Sequence, residues 1–332
     1  MTPPVSIILP TLNERAYLRD CLDSLLAQDY PVIDEILVVD GGSKDGTRAI
    51  AESFGAPVRV VDNPKVTAAG AMNVGLAAAR NELVVRVDAH TLYAADYVRR
   101  NVEVLLETGA AVVGGPMRPV GTSPFGRAVA AVTSSPLGVG PGRFHYSQQR
   151  EEVETVYLGT YLRSTVFEAG GYDDEHLQWA AEDQELNFRI RRNGGRIIVD
   201  PSIRSVYFPR QTSRALARQY HNYGMCKAST LAKHRTLPYW RPVVPAAMVG
   251  ASAVWVVACL PRRRGWAMLP AAIYAVAAAL AARKISREPG VTPHRVAAVL
   301  AICHWCYGAG LWRGLGRIVT GKPFDVRPRR PR

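Results

Sequence analysis

Asp88-Ala89-His90 ends a short apolar run, Leu83–Val87. On an extended segment, side chains two residues apart point the same way. A carboxylate and an imidazole in that arrangement can share one divalent cation. Oxygen and nitrogen donors suit Mg²⁺ or Mn²⁺, and the imidazole shifts the preference toward Mn²⁺. Asp40 closes a second apolar run, Ile36–Val39, and opens Asp40-Gly41-Gly42-Ser43-Lys44-Asp45-Gly46-Thr47. A carboxylate there can accept hydrogen bonds from a nucleobase or a ribose. The segment lacks the closing Gly-Lys-Ser/Thr of a P-loop, and no GxGxxG follows a strand, which disfavours a dinucleotide oxidoreductase. Asp45 and Thr47 are expected to build the turn and cap the following helix. Read alone, Glu182-Asp183 is an acidic helix start of the kind the helix dipole favours. Lys65 and Arg86 could add positive charge near these acids.

Strands alternating with helices must position these residues. Ser6–Leu9, Ile36–Val39, Val58–Val61, Leu83–Val87 and Ala111–Val113 read as strands. Between them, Leu18, Cys21, Leu22, Leu25 and Leu26 fall at helical spacing, and Ala68–Ala79 and Asp96–Glu107 read as helices. Such alternation implies a mostly parallel sheet with helices on both faces, an α/β fold whose ligands bind beyond the carboxyl ends of the strands. Three of those ends carry polar residues: Thr11, Asn13 and Glu14; Asp40; Asp88 and His90. Gly115–Gln149, rich in Gly, Pro and Ser, reads as a long mobile loop over the site. Val156–Tyr161 then reads as a strand, Ser164–Ala169 as a short helix and Trp179–Arg192 as a helix ended by Gly194 and Gly195.

The last third differs in composition. Ser213–His234 is a helix rich in Arg, Tyr and His, read as lying on a membrane surface. Apolar stretches follow at Val243–Leu260, Trp266–Ala282 and Val296–Trp312, near the lower length limit for spanning a bilayer. Three full spans would separate the basic tail from the first domain, against the positive-inside tendency, so one stretch is expected to be re-entrant or to lie flat. The expected division is 1–212, an interfacial helix and linker at 213–240, membrane-associated helices at 241–320 and a basic tail at 321–332. The net charge is +13. Many basic residues flank the apolar stretches (Arg262, Arg263, Arg264, Arg283, Lys284 and the tail), which favours an anionic membrane over nucleic acid, for which there is no motif. The 5 cysteines have no framework spacing, and a reducing compartment fits them. Cys303 and Cys306 form a lone CxxC that reads as structural.

Ser6-Ile7-Ile8-Leu9-Pro10-Thr11-Leu12-Asn13-Glu14 and Glu35-Ile36-Leu37-Val38-Val39-Asp40-Gly41-Gly42-Ser43 resemble the N-terminal half of family 2 glycosyltransferases. The likeness continues through Ala69-Gly70-Ala71-Met72-Asn73-Val74-Gly75, Val85-Arg86-Val87-Asp88-Ala89-His90 and Gly159-Thr160, and ends at Glu182-Asp183. The resemblance implies the GT-A fold, a single nucleotide-sugar-binding α/β unit. It implies that Pro10, Thr11, Glu14 and Asp40 hold the nucleoside and that Asp88 contacts the diphosphate; Asn13, Gly41, Ser43, Lys65, Gly70, Asn73 and Arg86 are expected to complete the donor site. It also implies a divalent cation, Mn²⁺ or Mg²⁺, on Asp88 and a catalytic base at Asp183; His90 is expected as a further metal ligand from its spacing, and Glu182 is expected to orient its neighbours. The pattern departs at His90, where a second Asp is common, and near Tyr207-Phe208-Pro209, where many relatives carry a metal-binding His.

Arg86-Val87-Asp88-Ala89-His90, with Arg210-Gln211 and Arg218-Gln219-Tyr220-His221-Asn222-Tyr223-Gly224, is similar to a narrower group, the succinoglycan-type exopolysaccharide glucosyltransferases. The Gln-x-x-Arg-Trp motif of processive synthases is absent, so transfer of single sugars is expected. The implied partners are a nucleotide-diphosphate sugar, a lipid-linked saccharide and the inner membrane, with the catalytic domain facing the cytoplasm. A polyprenyl-phosphate sugar synthase shares the donor motifs. A non-catalytic membrane scaffold would keep the fold without needing Asp40, Asp88 and Asp183.

Overall fold

The structure, a computed structural model, describes residues 2–177, 180–236, 240–261, 264–287 and 290–322. The chain forms two compact units: Met1–Arg118 with Arg143–Tyr207, and Pro119–Gly142 with Phe208–Arg332. The expected continuous first domain, 1–212, is therefore corrected. It is interrupted by a segment that belongs to the second unit, and it ends at Tyr207.

The first unit begins β1 Val5–Thr11, α1 Leu18–Leu26, β2 Ile33–Asp40, α2 Thr47–Glu52, β3 Val58–Asp62 and α3 Ala68–Ala78. β4 Leu83–Arg86, β5 Thr91–Tyr93, α4 Tyr97–Thr108 and β6 Val112–Gly115 follow. In the second unit lie α5 Pro124–Thr133 and α6 Pro136–Val139. The first unit resumes with β7 Glu151–Glu152, β8 Tyr157–Leu162, α7 Arg163–Glu168, α8 Glu182–Arg192, β9 Ile197–Val199 and β10 Ser205–Tyr207.

The main sheet runs β3-β2-β1-β4-β8-β6-β9-β7, and β10 and β5 form a separate ribbon. β3, β2, β1 and β4 are mutually parallel, whereas β8 is antiparallel to both β4 and β6. Alternation along β1 separates two cores. Val5, Ile7 and Leu9 pack with Leu22 of α1 and Val98 and Leu105 of α4 on one face. Ile8 packs on the other with Met72 and Leu76 of α3 and Leu186 and Ile190 of α8. This is the three-layer α/β arrangement that the sequence pattern implies. Register sets Asp40 level with Thr11, and Arg86 level with Ile8. The carboxyl ends of β1, β2 and β4 therefore form one rim.

Gly115–Gln149 is not a long loop. It contains α5 and α6, each opened by a serine cap and a proline in its first turn: Ser123 Oγ accepts from Gly126 N, and Ser135 Oγ from Leu137 N. The second unit continues with α9 Ser213–His234, α10 Val243–Cys259, α11 Arg264–Ala267, α12 Leu269–Ile285 and α13 Pro293–Val319. Ser213–His234, expected as an interfacial helix, packs one of its faces on α13. Gly224 meets the backbone of α13 at Tyr307, Gly310 of α13 meets the carbonyl of His221, and Gly314 meets Ala228. One face of α9 is thus core, with Leu216, Met225, Cys226 and Ala228 buried.

Among the described residues one helix, Gly265–Ile285 (21 residues), is long and apolar enough to cross a membrane. The first and third apolar stretches become α10 and the longer α13. Large apolar side chains of α10 and α12 lie in the open, among them Val254 at 71%, Val257 at 73%, Val276 at 62% and Leu280 at 62% exposure. The basic tail from 323 onward, Arg262 and Arg263 lie outside the described residues.

Candidate active site

The rim is built by two loops that lock together. After β1, Asn13 adopts a left-handed conformation, φ 57°, which Asn tolerates better than most residues. Its amide donates to Ser43 Oγ at 2.8 Å, and its side-chain oxygen accepts from the amide of Lys44 at 2.9 Å. The amide of Glu14 donates to Thr47 Oγ1, and Gly41 N donates to the carbonyl of Thr11. Asp40 is buried, and its carboxylate accepts from the amides of Gly42 and Ser43 at 3.1 and 3.0 Å and from the Ser43 hydroxyl. Asp40, Ser43 and Asn13 therefore build the turn themselves. Asp45 has the role expected of it: its carboxylate accepts from the amide and hydroxyl of Thr47 at the start of α2.

Asp88-Ala89-His90 is not an extended segment. β4 ends at Arg86, and Ala89 and His90 form a turn before β5. The two side chains accordingly have different neighbours. Asp88 Oδ1 lies 3.7 Å from Arg86 Nε. His90 Nδ1 lies 3.6 Å from Glu14 Oε1, with the His90 ring 5.4 Å from that of Tyr207 and 6.5 Å from that of Tyr17. Tyr93 fastens the turn: its hydroxyl accepts from the Asp88 amide at 2.7 Å and faces the Asp88 carbonyl. No group of three His, Cys, Asp or Glu residues suited to a metal occurs among the described residues.

The most concentrated charge lies where β4 meets α8. The chain enters α8 through Ala181 in a left-handed conformation, φ 62°, and Glu182, Asp183 and Glu185 occupy the first turn. Arg86 Nη2 donates to Glu182 Oε1 at 2.9 Å, and both side chains are buried. The guanidinium stands 5.9 Å from the ring of Tyr172, whose hydroxyl shares a 3.0 Å hydrogen bond with Tyr161. Burial opposes the charge of Arg86, but Asp88, Glu182 and Asp183 together hold it protonated. Burial also pushes the Tyr172 hydroxyl up, against the pull of Arg86. Asp183 acts electrostatically on Arg86, Tyr161 and Tyr172, so it belongs to this cluster.

A second clamp fixes the segment before α8. Asn73 of α3 donates to the carbonyl of Tyr172 at 2.8 Å and to Asp174 at 3.0 Å, and accepts from the Tyr172 amide. Lys65 Nζ lies 2.7 Å from Asp174, which raises the lysine's pKa. Gly70 sits in the capped first turn of α3, where a Cβ would press on Lys65 and Thr67. Lys65 and Asn73 are thus brought together around Asp174, with Gly70 beside Lys65, and Pro10 and Thr11 lie at the end of β1. Tyr172, Tyr161 and Tyr207 were not singled out as site residues, since isolated tyrosines carry no spacing signal.

The sequence profile described as "Glycosyl transferase family 2" matches residues 6–160. The chain is 32% identical over 323 residues to the succinoglycan biosynthesis protein ExoA of Rhizobium meliloti, covering 93% of this chain and 94% of that protein. It is 27% identical over 241 residues to a Methanococcus voltae protein, covering 69% and 74%. That protein is a dolichyl N-acetyl-alpha-D-glucosaminyl phosphate 3-beta-D-2,3-diacetamido-2,3-dideoxy-beta-D-glucuronosyltransferase. Among solved structures, the mannosyltransferase PcManGT of Pyrobaculum calidifontis, in complex with GDP-Man and Mn²⁺, superposes with a TM-score of 0.57 at 22% identity. That match covers 97% of this chain and 88% of that one. S. aureus TarS 1-349 in complex with UDP-GlcNAc gives 0.52 at 15% identity, covering 96% and 92%. These structures share the fold.

Proposed function

We propose that this chain, which belongs to glycosyl transferase family 2, moves a single sugar from a nucleoside-diphosphate donor to a lipid-linked saccharide, in the synthesis of exopolysaccharide or a related surface glycan. The observation that carries the reading is the gathering of Asp88, Arg86, Glu182 and Asp183 where the end of β4 meets the first turn of α8. The likeness to a succinoglycan biosynthesis protein over nearly the whole chain supports the product class.

The reaction breaks the bond between the anomeric carbon and the diphosphate and forms one to an acceptor hydroxyl. Asp183, partly exposed at the start of α8, takes the hydroxyl proton as that bond forms. A single carboxylate base suits direct displacement, which inverts the anomeric centre. Asp88 faces solvent with 24% of its side chain exposed. Asp88 would hold a Mg²⁺ or Mn²⁺ ion, for which few protein ligands are needed when the substrate carries phosphates. The cation would stabilise charge on the departing diphosphate. Glu14, Thr11 and Asp40, on the interlocked loops after β1 and β2, would receive the nucleoside. The open apolar faces of α10 and α12 support attachment to a membrane, proposed to be the inner membrane with the first unit in the cytoplasm.

The test is a panel of nucleotide sugars with Mn²⁺ or Mg²⁺, assayed on the full chain with lipid-linked saccharide and, separately, polyprenyl phosphate as acceptor. Transfer to the saccharide with inversion is expected. Transfer only to polyprenyl phosphate would replace the proposed acceptor, and binding without turnover on either would leave a non-catalytic protein.

A further inference from the structure

We propose that Arg86 is a positioning residue for the transfer: it grips Glu182 in the first turn of α8 and so sets Asp183, while standing against Asp88 at the diphosphate end. This inference rests on the glycosyltransferase reading above. As a free surface cation, Arg86 would serve as a simple partner for a phosphate. It is instead 8% exposed, and its Nη2 is committed to a buried carboxylate at 2.9 Å. The hydrogen bond joins residues 96 apart in sequence, so it ties the strand that ends beside Asp88 to the helix that carries Asp183. Ala181 enters that helix in a left-handed turn with no side-chain cap, and the Arg86–Glu182 pair fastens the helix start to β4 through side chains.

The hold is tight on one side and loose on the other. Among the described residues Arg86 Nε and Nη1 are buried without hydrogen-bond partners, and Asp88 Oδ1 stops 3.7 Å from Nε, just beyond bonding distance. A buried guanidinium that leaves donors unmade is costly, and such strain persists where surrounding structure enforces it. Here the Tyr172 ring stands 5.9 Å from the guanidinium, its backbone held by Asn73 and its hydroxyl by Tyr161. Asp88 therefore keeps freedom to turn toward the donor while the base stays fixed. Asp88, Glu182 and Asp183 all act on the charge of Arg86, so the pair it makes with Glu182 lies within the acidic cluster that carries the proposed base.

The experiment compares the full chain with R86K, R86Q, E182Q and the double variant R86Q/E182Q. It measures kcat, KM and the donor dissociation constant by calorimetry, with melting temperature as control. R86Q and E182Q should each lower kcat about 100-fold, the scale of a misplaced catalytic group, with donor affinity changed less than about threefold. The double variant should be no worse than the poorer single one, because both break the same link. R86K, which keeps the charge without the planar fork, should recover part of kcat. If R86Q does not fold, R86K and E182Q carry the same comparison. A tenfold or larger rise in donor KM with kcat intact, or additive losses in the double variant, would overturn the inference while leaving the transferase reading in place. An inactive parent chain would overturn both.

Discussion

The carboxylate of Asp40 accepts three hydrogen bonds from its own turn, so any bond it makes to a nucleoside is added to a structure it already holds. An amide offers one acceptor oxygen where the carboxylate offers two. Asp40→Asn should therefore cost about 1–3 kcal/mol of stability as well as donor affinity, visible as a lower melting temperature together with weaker nucleotide titration. Asp183→Asn should behave differently. Its carboxylate accepts from the Gln184 amide, a bond that an amide oxygen can also accept, so the variant should keep the start of α8 and bind donor. Its kcat should fall about 10²–10⁴-fold, the usual contribution of a general base. Full turnover by that variant would remove Asp183 as base. At this scale the residue types were legible and their allegiances were not. Lys65 and Arg86 looked alike in sequence, yet one pairs with Asp174 at the surface and the other is locked beneath Tyr172. Nothing in the spacing of two basic residues encodes which will be enclosed.

Elements hold these residues by close approach, and two points of contact make this measurable. Gly75 lets α3 lie directly on β1: a Cβ there would stand 2.5 Å from Ile8 Cγ2. Gly75→Ala should cost about 1–3 kcal/mol through overpacking, and thermal melts of Gly75→Ala with and without Ile8→Ala should show partial relief in the pair. At the opposite end of the strands, Glu35 is buried and receives the Arg80 amide at 2.7 Å, Ser6 Oγ at 2.8 Å and Arg59 at 3.1 Å. Burial pushes its carboxyl up, but those donors outweigh it and the folded-state pKa lies below its ordinary value. A depressed carboxylate stabilises the fold above its unfolded pKa and loses that contribution as pH falls through the folded value. The stability gap between the parent and Glu35→Gln should therefore be full above pH ~5 and shrink below pH ~4 in denaturant melts, near the unfolded pKa of about 4.3. The alternating strands and helices were legible because apolar periodicity is a local signal. Gly115–Gln149 was misread because its Gly, Pro and Ser content outweighed a subtler pattern, Ser-Pro at 123–124 and again at 135–136, which is how a capped helix begins.

At the scale of the molecule, composition showed that the last third is apolar, but not which helices would cover one another. α13 and α9 bury glycine-containing faces against each other, a packing that composition does not encode. α12 is different, because only 17% of its most apolar window is buried. Its last turn carries Arg283 and Lys284, as expected for a helix that ends at an anionic surface. Ile273, Val276 and Leu280 recur at helical spacing with more than half their surface in the open. A protein that faced only water would not keep that stripe beside a net charge of +13 without a partner. The proposed occupant is lipid, and the helix can be tested directly. Val276→Asp and Leu280→Asp place a carboxylate at the middle and lower part of the apolar stripe, each opposing insertion by about 3 kcal/mol. The parent chain should float with anionic vesicles and resist extraction by high salt, whereas the double variant should remain in the aqueous fraction with the fold of its first unit unchanged by circular dichroism. Release of the parent by salt alone would reduce the attachment to its basic residues, and equal flotation of the double variant would exclude α12 as the inserted element.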